Sequence, residues 1–171
     1  PALPHKTEAG AVALGLRSSE AVAGAVAEMR GRVARACPAA LCDRFLVERM
    51  EPAPLAELVL GLRHDPQFGL VLTLGSGGIL VELVGDATTL LMPTGPEEIA
   101  AAIAGLRAGR LLAGFRGRPA ADLAAVAGAI HGLARHVAAS GGRIAELEIN
   151  PLFVHERGVV AVDVLMHRAE G

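Results

Sequence analysis

The chain has 171 residues, a formal net charge of −2, an aromatic content of 2% and neither Trp nor Tyr. Because nucleic-acid binding uses a basic surface and aromatic rings on which bases stack, we expect no nucleic-acid partner. No apolar run reaches the ~20 residues of a membrane-spanning helix and no signal-peptide pattern opens the chain, so the sequence predicts a soluble, cytoplasmic protein without membrane contact.

The first half of the chain predicts one helix and a series of short strands. Ser18 or Ser19 caps an alanine-rich helix that runs to about Ala36, where Cys37-Pro38 ends it. Turn signals rich in Gly and Pro separate the strands, and the second and third strands form a hairpin around Glu51-Pro52-Ala53-Pro54. The predicted strands are 10–16, 45–50, 57–63, 70–74, 79–84 and 87–92.

The second half predicts two helices and a closing pair of strands. The stretch Thr94-Gly95-Pro96-Glu97 has the capping-box spacing and opens a helix through Leu106. A second helix starts at Arg118-Pro119 and ends at Ser140-Gly141-Gly142. Strands clustered among helices without strict alternation indicate an α+β fold. The closing strands are 144–150, extended by 152–154, and 159–164.

The stretch ELEINPLFV has an unusual pattern for a strand. Alternation of side chains directs Leu147 and Ile149 into a core and places Glu146, Glu148 and Asn150 on the opposite face. Two acids and an amide in a row are poor strand formers, so we interpret this polar face as holding a ligand.

A partner for this polar face comes from the closing hairpin. If Glu156 and Arg157 are its two loop residues, Asn150 lies opposite Asp163. Opposed residues have Cβ atoms about 4.5–5.5 Å apart, which suits two oxygen ligands of one hard cation. So few ligands favour Mg²⁺, which keeps waters and takes other oxygens from substrate phosphates. On spacing alone, an equally good alternative is that Asp163 merely ends a strand and Asn150-Pro151 merely makes a turn.

Three other features are ambiguous from the residues alone. The cluster Gly75 to Gly78 fits neither a dinucleotide fingerprint nor a P-loop and is better explained as a tight turn, although Glu82 follows it among apolar residues. Lys6 is the only lysine, which hints at a required ammonium group, yet a solvated terminus explains it more simply. Arg116 and Arg118 either clamp an anion or are solvated.

Taken in chain order, seven segments resemble the ATP-grasp domain of NDP-forming acyl-CoA synthetases, the acetate–CoA ligase (ADP-forming) type, and more distantly the beta subunit of succinyl-CoA synthetase. The segments are HKTEAGAVALGL, FLVERM, ELVLGLRHDPQFG, GSGGILVEL, GFRGRPAAD, ELEINPL and VAVDVL. The resemblance implies an ATP-grasp fold, a mostly antiparallel sheet with flanking helices, whose N-terminal part is incomplete. It implies that residues 1–50 are the remainder of the N-terminal lobe up to a hinge strand, and that 51–171 are the C-terminal lobe with the nucleotide and metal site.

The resemblance also implies an activity. ADP-forming synthetases couple acyl-CoA formation or cleavage to Mg²⁺-dependent phosphoryl transfer between ADP or ATP and a phosphohistidine. Asn150 and Asp163 match the family's magnesium ligands. Glu148 and Glu82 match positions near the phosphoryl-transfer centre, and His5 matches a histidine that carries the phosphoryl group.

Nucleotide contacts are implied at five further positions. Lys6 and Arg118 are the implied cations for the phosphates. The hinge strand FLVERM is implied to line the adenine, and backbone groups near Glu48, Arg49 and Met50 are implied to contact the base. The implied partners are CoA-binding and CoA-ligase domains, or a subunit that carries them, in an oligomeric enzyme.

The chain departs from the family pattern at two places. The chain begins at Pro1, whereas family members have further sequence there, including a nucleotide-contacting lysine, so we expect a piece of a longer polypeptide. An arginine is usual just before DPQFG, where this chain has His64 preceded by Arg63. An alternative function is a non-catalytic regulatory module of the kind fused to protein acetyltransferases.

Overall fold

The computed structural model describes residues 9–38, 43–77 and 85–169. The predicted strand 79–84 lies outside these residues. The chain divides into two compact units, Pro1–Pro52 and Ala53–Gly171. The division falls near the lobe boundary expected after residue 50, and the identity of the two units with ATP-grasp lobes stays a prediction.

The first unit contains the predicted alanine-rich helix, α1, Ser19–Ala36. Ser18 caps it, because the Ala21 N–H donates to the Ser18 hydroxyl at 3.1 Å. At the other end the Cys37 N–H donates to the Val33 carbonyl at 2.8 Å. Both predicted helix boundaries are confirmed.

The strands predicted at 10–16 and 45–50 are absent, so these two predictions and the hairpin built on the second one are wrong. A strand needs ladder hydrogen bonds from a neighbour. In the described part of the first unit neither segment has such a neighbour, and Leu14 and Leu46 are 72% and 83% exposed.

The second unit contains a sheet with helices. The described strands form a six-stranded antiparallel sheet in the order β3-β2-β1-β4-β5, and β6 also pairs with β4. The elements are β1 Ala56–Asp65, β2 Gly69–Ser76, β3 Ala87–Leu91, α2 Pro96–Gly105, α3 Arg107–Leu112, a 3₁₀ turn Phe115–Gly117, α4 Leu123–Ala139, β4 Ile144–Val154, β5 Val159–Ala161 and β6 Val164–Arg168.

One face of the sheet forms the core with α2 and α4. Alternate residues of β1 are fully buried, as the two-residue strand period requires. Burying a leucine side chain contributes about 1.5–3 kcal/mol, so this face is the main source of stability. The largest fully buried side chains of the sheet and helices are Leu58, Leu60, Leu62, Leu72, Leu74, Ile99, Ile103, Leu112, Val126, Val137 and Val154.

The stretch Thr94-Gly95-Pro96-Glu97 opens α2 as predicted, whereas α4 begins later than predicted. For α2 the cap is Gly95, whose N–H donates to the Glu98 carboxylate at 3.3 Å, and the Thr94 hydroxyl donates to the same carboxylate. For α4 the cap is Asp122 instead of Arg118-Pro119, because the Asp122 carboxylate accepts the Ala125 N–H at 3.0 Å. The short helix α3 was not predicted, since six residues carry too little periodicity.

The motif DPQFG forms the turn between β1 and β2. The Asp65 carboxylate accepts the N–H groups of Gln67 and Phe68 at 2.9 and 3.1 Å, and Gly69 takes a positive φ of 76° that favours glycine. These two N–H groups, with a smaller effect of the nearby Arg63 charge, lower the pKa of Asp65 below its usual 3.8.

The glycine cluster brings β2 against the backbone of β1. The Gly77 N–H donates to the Glu57 carbonyl at 2.6 Å, and a Cβ at Gly77 would lie 2.8 Å from the Glu57 carbonyl carbon. Only glycine fits such an approach without a backbone shift.

We expect Gly77→Ala to destabilise the protein by about 1–3 kcal/mol, because the added methyl group would overlap the Glu57 backbone. Gly128→Ala is the matched control. Gly128 lies inside α4 with open space around it, so alanine there should stabilise by about 0.5–1 kcal/mol. Urea unfolding gives the free energy of unfolding of both variants. Equal stabilities for Gly77→Ala and the parent chain would contradict the close approach of Gly77 to the Glu57 backbone.

We expect Asp65 to contribute to the pH dependence of stability. Its lowered pKa means that the ionised carboxylate stabilises the fold above about pH 4, and that this contribution is lost as the pH falls through the folded pKa. The melting temperature of Asp65→Asn should therefore lie below that of the parent at pH 6, and the gap should narrow below pH 4. Glu156→Gln, in an exposed loop, is the control; a constant gap for Asp65→Asn would contradict the turn assignment.

Candidate functional site

The sheet face opposite the core, called the polar face below, carries the predicted acids of β4. Leu147 and Ile149 are buried, whereas Glu146 is exposed and Glu148 half-buried, as the alternation predicted. Directly paired residues share a face, so the register identifies their neighbours on β1 and β6. The polar face comprises Gly61, Arg63, Glu146, Glu148, Leu165 and His167.

A β-bulge interrupts β4 next to this face. The pairing of β4 with β1 shifts by one residue, so that Asn150 and Pro151 together lie opposite Val59. Proline has no N–H to give to the ladder, and a bulge accommodates it. Burial follows the shift, with Leu147 and Ile149 buried before it and Leu152 and Val154 buried after it.

The bulge lies against the break between β5 and β6. The Asn150 N–H donates to the Asp163 carbonyl at 3.1 Å, and the Val162 N–H donates to the Pro151 carbonyl at 3.1 Å. The predicted register, Asn150 opposite Asp163, is therefore confirmed. The single strand predicted at 159–164 is instead two strands, because β4 bulges at this point and the partner strand is interrupted opposite it.

The Asn150 side chain is held by Glu148. Its Nδ2 donates to Glu148 Oε1 at 3.3 Å, and this contact directs the amide oxygen away from the carboxylate. The amide oxygen of Asn150 and the carboxylate of Asp163 are hard donors of the kind that bind Mg²⁺. Among the described residues no group of three His, Cys, Asp or Glu side chains is arranged to hold a metal by itself. A cation at this pair would therefore keep positions for water and phosphate oxygens, so the donor set fits Mg²⁺.

The polar groups of the glycine cluster serve the fold. The Ser76 hydroxyl donates to the Asp86 carboxylate, which also accepts the Arg107 N–H at 2.7 Å, while the Ser76 oxygen accepts the Ala108 N–H at 3.0 Å. Ser76 and Asp86 thus cap α3 from a distant part of the chain. The sequence gives no local signal of this cap, because its residues are 21 and 32 positions apart.

The other predicted site residues are distributed over the chain. Arg118 is exposed and its Nη2 donates to the Pro54 carbonyl at 3.3 Å. In the first unit Glu48, Arg49 and Met50 are exposed, and Arg49 forms an ion pair of 2.8 Å with Glu51. Three other predicted site residues lie outside the described ranges, namely His5, Lys6 and Glu82.

His131 joins α4 to the start of α2, because its Nδ1 is 2.9 Å from the Thr94 carbonyl. In the described ranges no helix combines the length and apolar character that a membrane crossing requires.

Comparisons with known proteins give one consistent result. A family model described as an ATP-grasp domain matches residues 1–167. The chain is 34% identical over 167 residues to trans-feruloyl-CoA synthase FCS1 from an unknown prokaryotic organism, covering 96% of this chain and 23% of that protein. It is 31% identical over 164 residues to subunit beta of an ADP-forming acetate–CoA ligase II from Pyrococcus furiosus, covering 96% and 69%.

A solved structure agrees with these relatives. The chain superimposes with a TM-score of 0.80 on dinucleotide-forming acetyl-coenzyme A synthetase 1 from Ca. Korarchaeum cryptofilum, at 30% identity over 99% of this chain and 73% of the other. That structure is a complex with coenzyme A and Mg-AMPPCP, and its phosphohistidine segment points towards the nucleotide-binding site. This chain thus spans about a quarter of the first relative and about 70% of the beta subunit.

Proposed function

The chain belongs to the ATP-grasp domain family, and we propose that it forms the nucleotide-binding part of an NDP-forming acyl-CoA synthetase. The observation that carries the proposal is the pairing of Asn150 with Asp163 beside Glu148 on the polar face. The overall reaction is acyl-CoA + ADP + phosphate ⇌ carboxylate + CoA + ATP. CoA-binding and CoA-ligase domains, or a subunit that carries them, complete the thioester chemistry in a cytoplasmic, oligomeric enzyme.

Magnesium is the proposed cofactor at the hairpin. The amide oxygen of Asn150 and the carboxylate of Asp163 would hold it, and when bound it would neutralise charge on the nucleotide phosphates. Glu148 positions this site, because its hydrogen bond with Asn150 fixes the orientation of the amide.

Phosphoryl transfer needs in-line positioning and charge neutralisation more than covalent chemistry. In the proposed step the P–N bond to His5 breaks while an oxygen of the terminal ADP phosphate forms the new P–O bond. Neutral imidazole is a suitable carrier near pH 7, since it can attack when unprotonated. Glu148 and Glu82 are proposed to orient the phosphohistidine, and Lys6 and Arg118 to bind phosphate oxygens. The backbone of Glu48, Arg49 and Met50 is proposed to contact the base.

We expect the 171-residue chain to bind ADP and ATP in calorimetric titration, and to bind both more tightly with Mg²⁺ than without it. Asp163→Asn should remove this magnesium dependence and weaken binding by more than about tenfold, because even residues that only orient a metal ligand contribute 10- to 100-fold. Its melting temperature should stay close to that of the parent chain, since Asp163 lies outside the core.

The matched control is Glu156→Gln, which removes one negative charge from the loop of the same hairpin. It should keep the magnesium dependence of the parent. Magnesium-dependent binding that persists in Asp163→Asn would contradict the metal assignment. Binding of nucleotide without formation of phosphohistidine from Mg-ATP would instead favour a regulatory module.

A further inference from the structure

Two neighbouring basic residues, Arg63 and His64, lie on opposite faces of the sheet near the end of β1. Arg63 pairs with Glu146 on the polar face. His64 pairs with Leu70, which is buried in the core cluster, so its side chain continues the core-facing row of β1. The two-residue period of the strand therefore separates the two side chains.

Arg63 is exposed and surrounded by acidic groups. Glu146 lies across from it, and Asp65 lies two residues along the same strand face, close enough for the Arg63 charge to contribute to the lowered pKa of Asp65. Within the described residues the Arg63 side chain makes neither an ion pair nor a hydrogen bond. The guanidinium group is thus free to bind an anion on a face where the other charged side chains of β1 and β4 are acidic.

The position of Arg63 relative to Glu148 suggests which anion it binds. Gly61 pairs with Glu148, and Arg63 lies two residues further along β1, about 7 Å away. Along β4 the order is Asn150, Glu148, Glu146. Arg63 therefore lies beyond Glu148 as seen from the Asn150–Asp163 pair, on the same face of the sheet as both acids of β4.

We propose that Arg63 binds the γ-phosphoryl group of ATP on the polar face, and that His64 takes no part in phosphate binding. The inference rests on the proposed function. A planar guanidinium donates two parallel hydrogen bonds to phosphate oxygens, and it supplies positive charge that the acids of this face cannot.

The test compares the affinities of Mg-ATP and Mg-ADP for the 171-residue chain and three variants by calorimetric titration. Arg63→Gln should weaken Mg-ATP binding by about 10- to 100-fold, the range for a hydrogen bond to a charged group, with Mg-ADP changed by less than about twofold. Arg63→Lys should lose less Mg-ATP affinity than Arg63→Gln, because lysine keeps the positive charge but cannot donate two parallel hydrogen bonds. His64→Gln, the matched control one residue away, should bind both nucleotides like the parent.

Each other outcome contradicts a specific statement. Unchanged Mg-ATP affinity in Arg63→Gln would overturn the inference while the proposed function stands. An equal loss of affinity for Mg-ADP and Mg-ATP would have the same meaning. A chain that binds neither nucleotide would contradict the proposed function and this inference together. If Arg63 only balanced Asp65 and Glu146, Arg63→Gln would lower the melting temperature without changing the ratio of the two affinities.

Discussion

The β-bulge at Asn150-Pro151 is the constraint on which the candidate site depends. A regular strand would place Leu152 and Val154 on the same face as Glu146 and Glu148, because a shift of one residue moves every side chain to the other side. The extra residue keeps apolar side chains in the core on both sides of the proline. It also leaves Asn150 at the one point where the partner strand is interrupted, opposite Asp163.

A sheet covered by helices on one face can separate stability from chemistry. The buried leucines of β1 and β2 pack with α2 and α4, so the opposite face is not required to be apolar. Carboxylates there keep contact with solvent and avoid the large cost of burying an unpaired charge. This division explains how a strand can carry two acids and an amide, each poor in strand propensity, inside a stable sheet.

Most of the second unit could be predicted from its sequence, because its signals are local. Alternation in β4 and a two-residue loop were enough to place Asn150 opposite Asp163, and glycine and proline marked the ends of most elements.

The errors of the sequence-based prediction came from non-local causes. Strands at 10–16 and 45–50 lack a described ladder partner, which composition cannot reveal. The cap of α3 joins Ser76 and Asp86 to residues far along the chain. The bulge itself depends on which apolar residues the helices cover.

The alternation of a strand also changes the meaning of the family departure at His64. An arginine at that position would lie on the core-facing row with Leu62, away from the acids of β4. Its replacement by histidine therefore removes no cation from the polar face, since the cation on that face is one residue earlier, at Arg63. Matching a motif by residue type alone misses this distinction. In a strand, a difference of one position is a difference of face, so a basic residue has to be assigned through its cross-strand partner before its role is inferred.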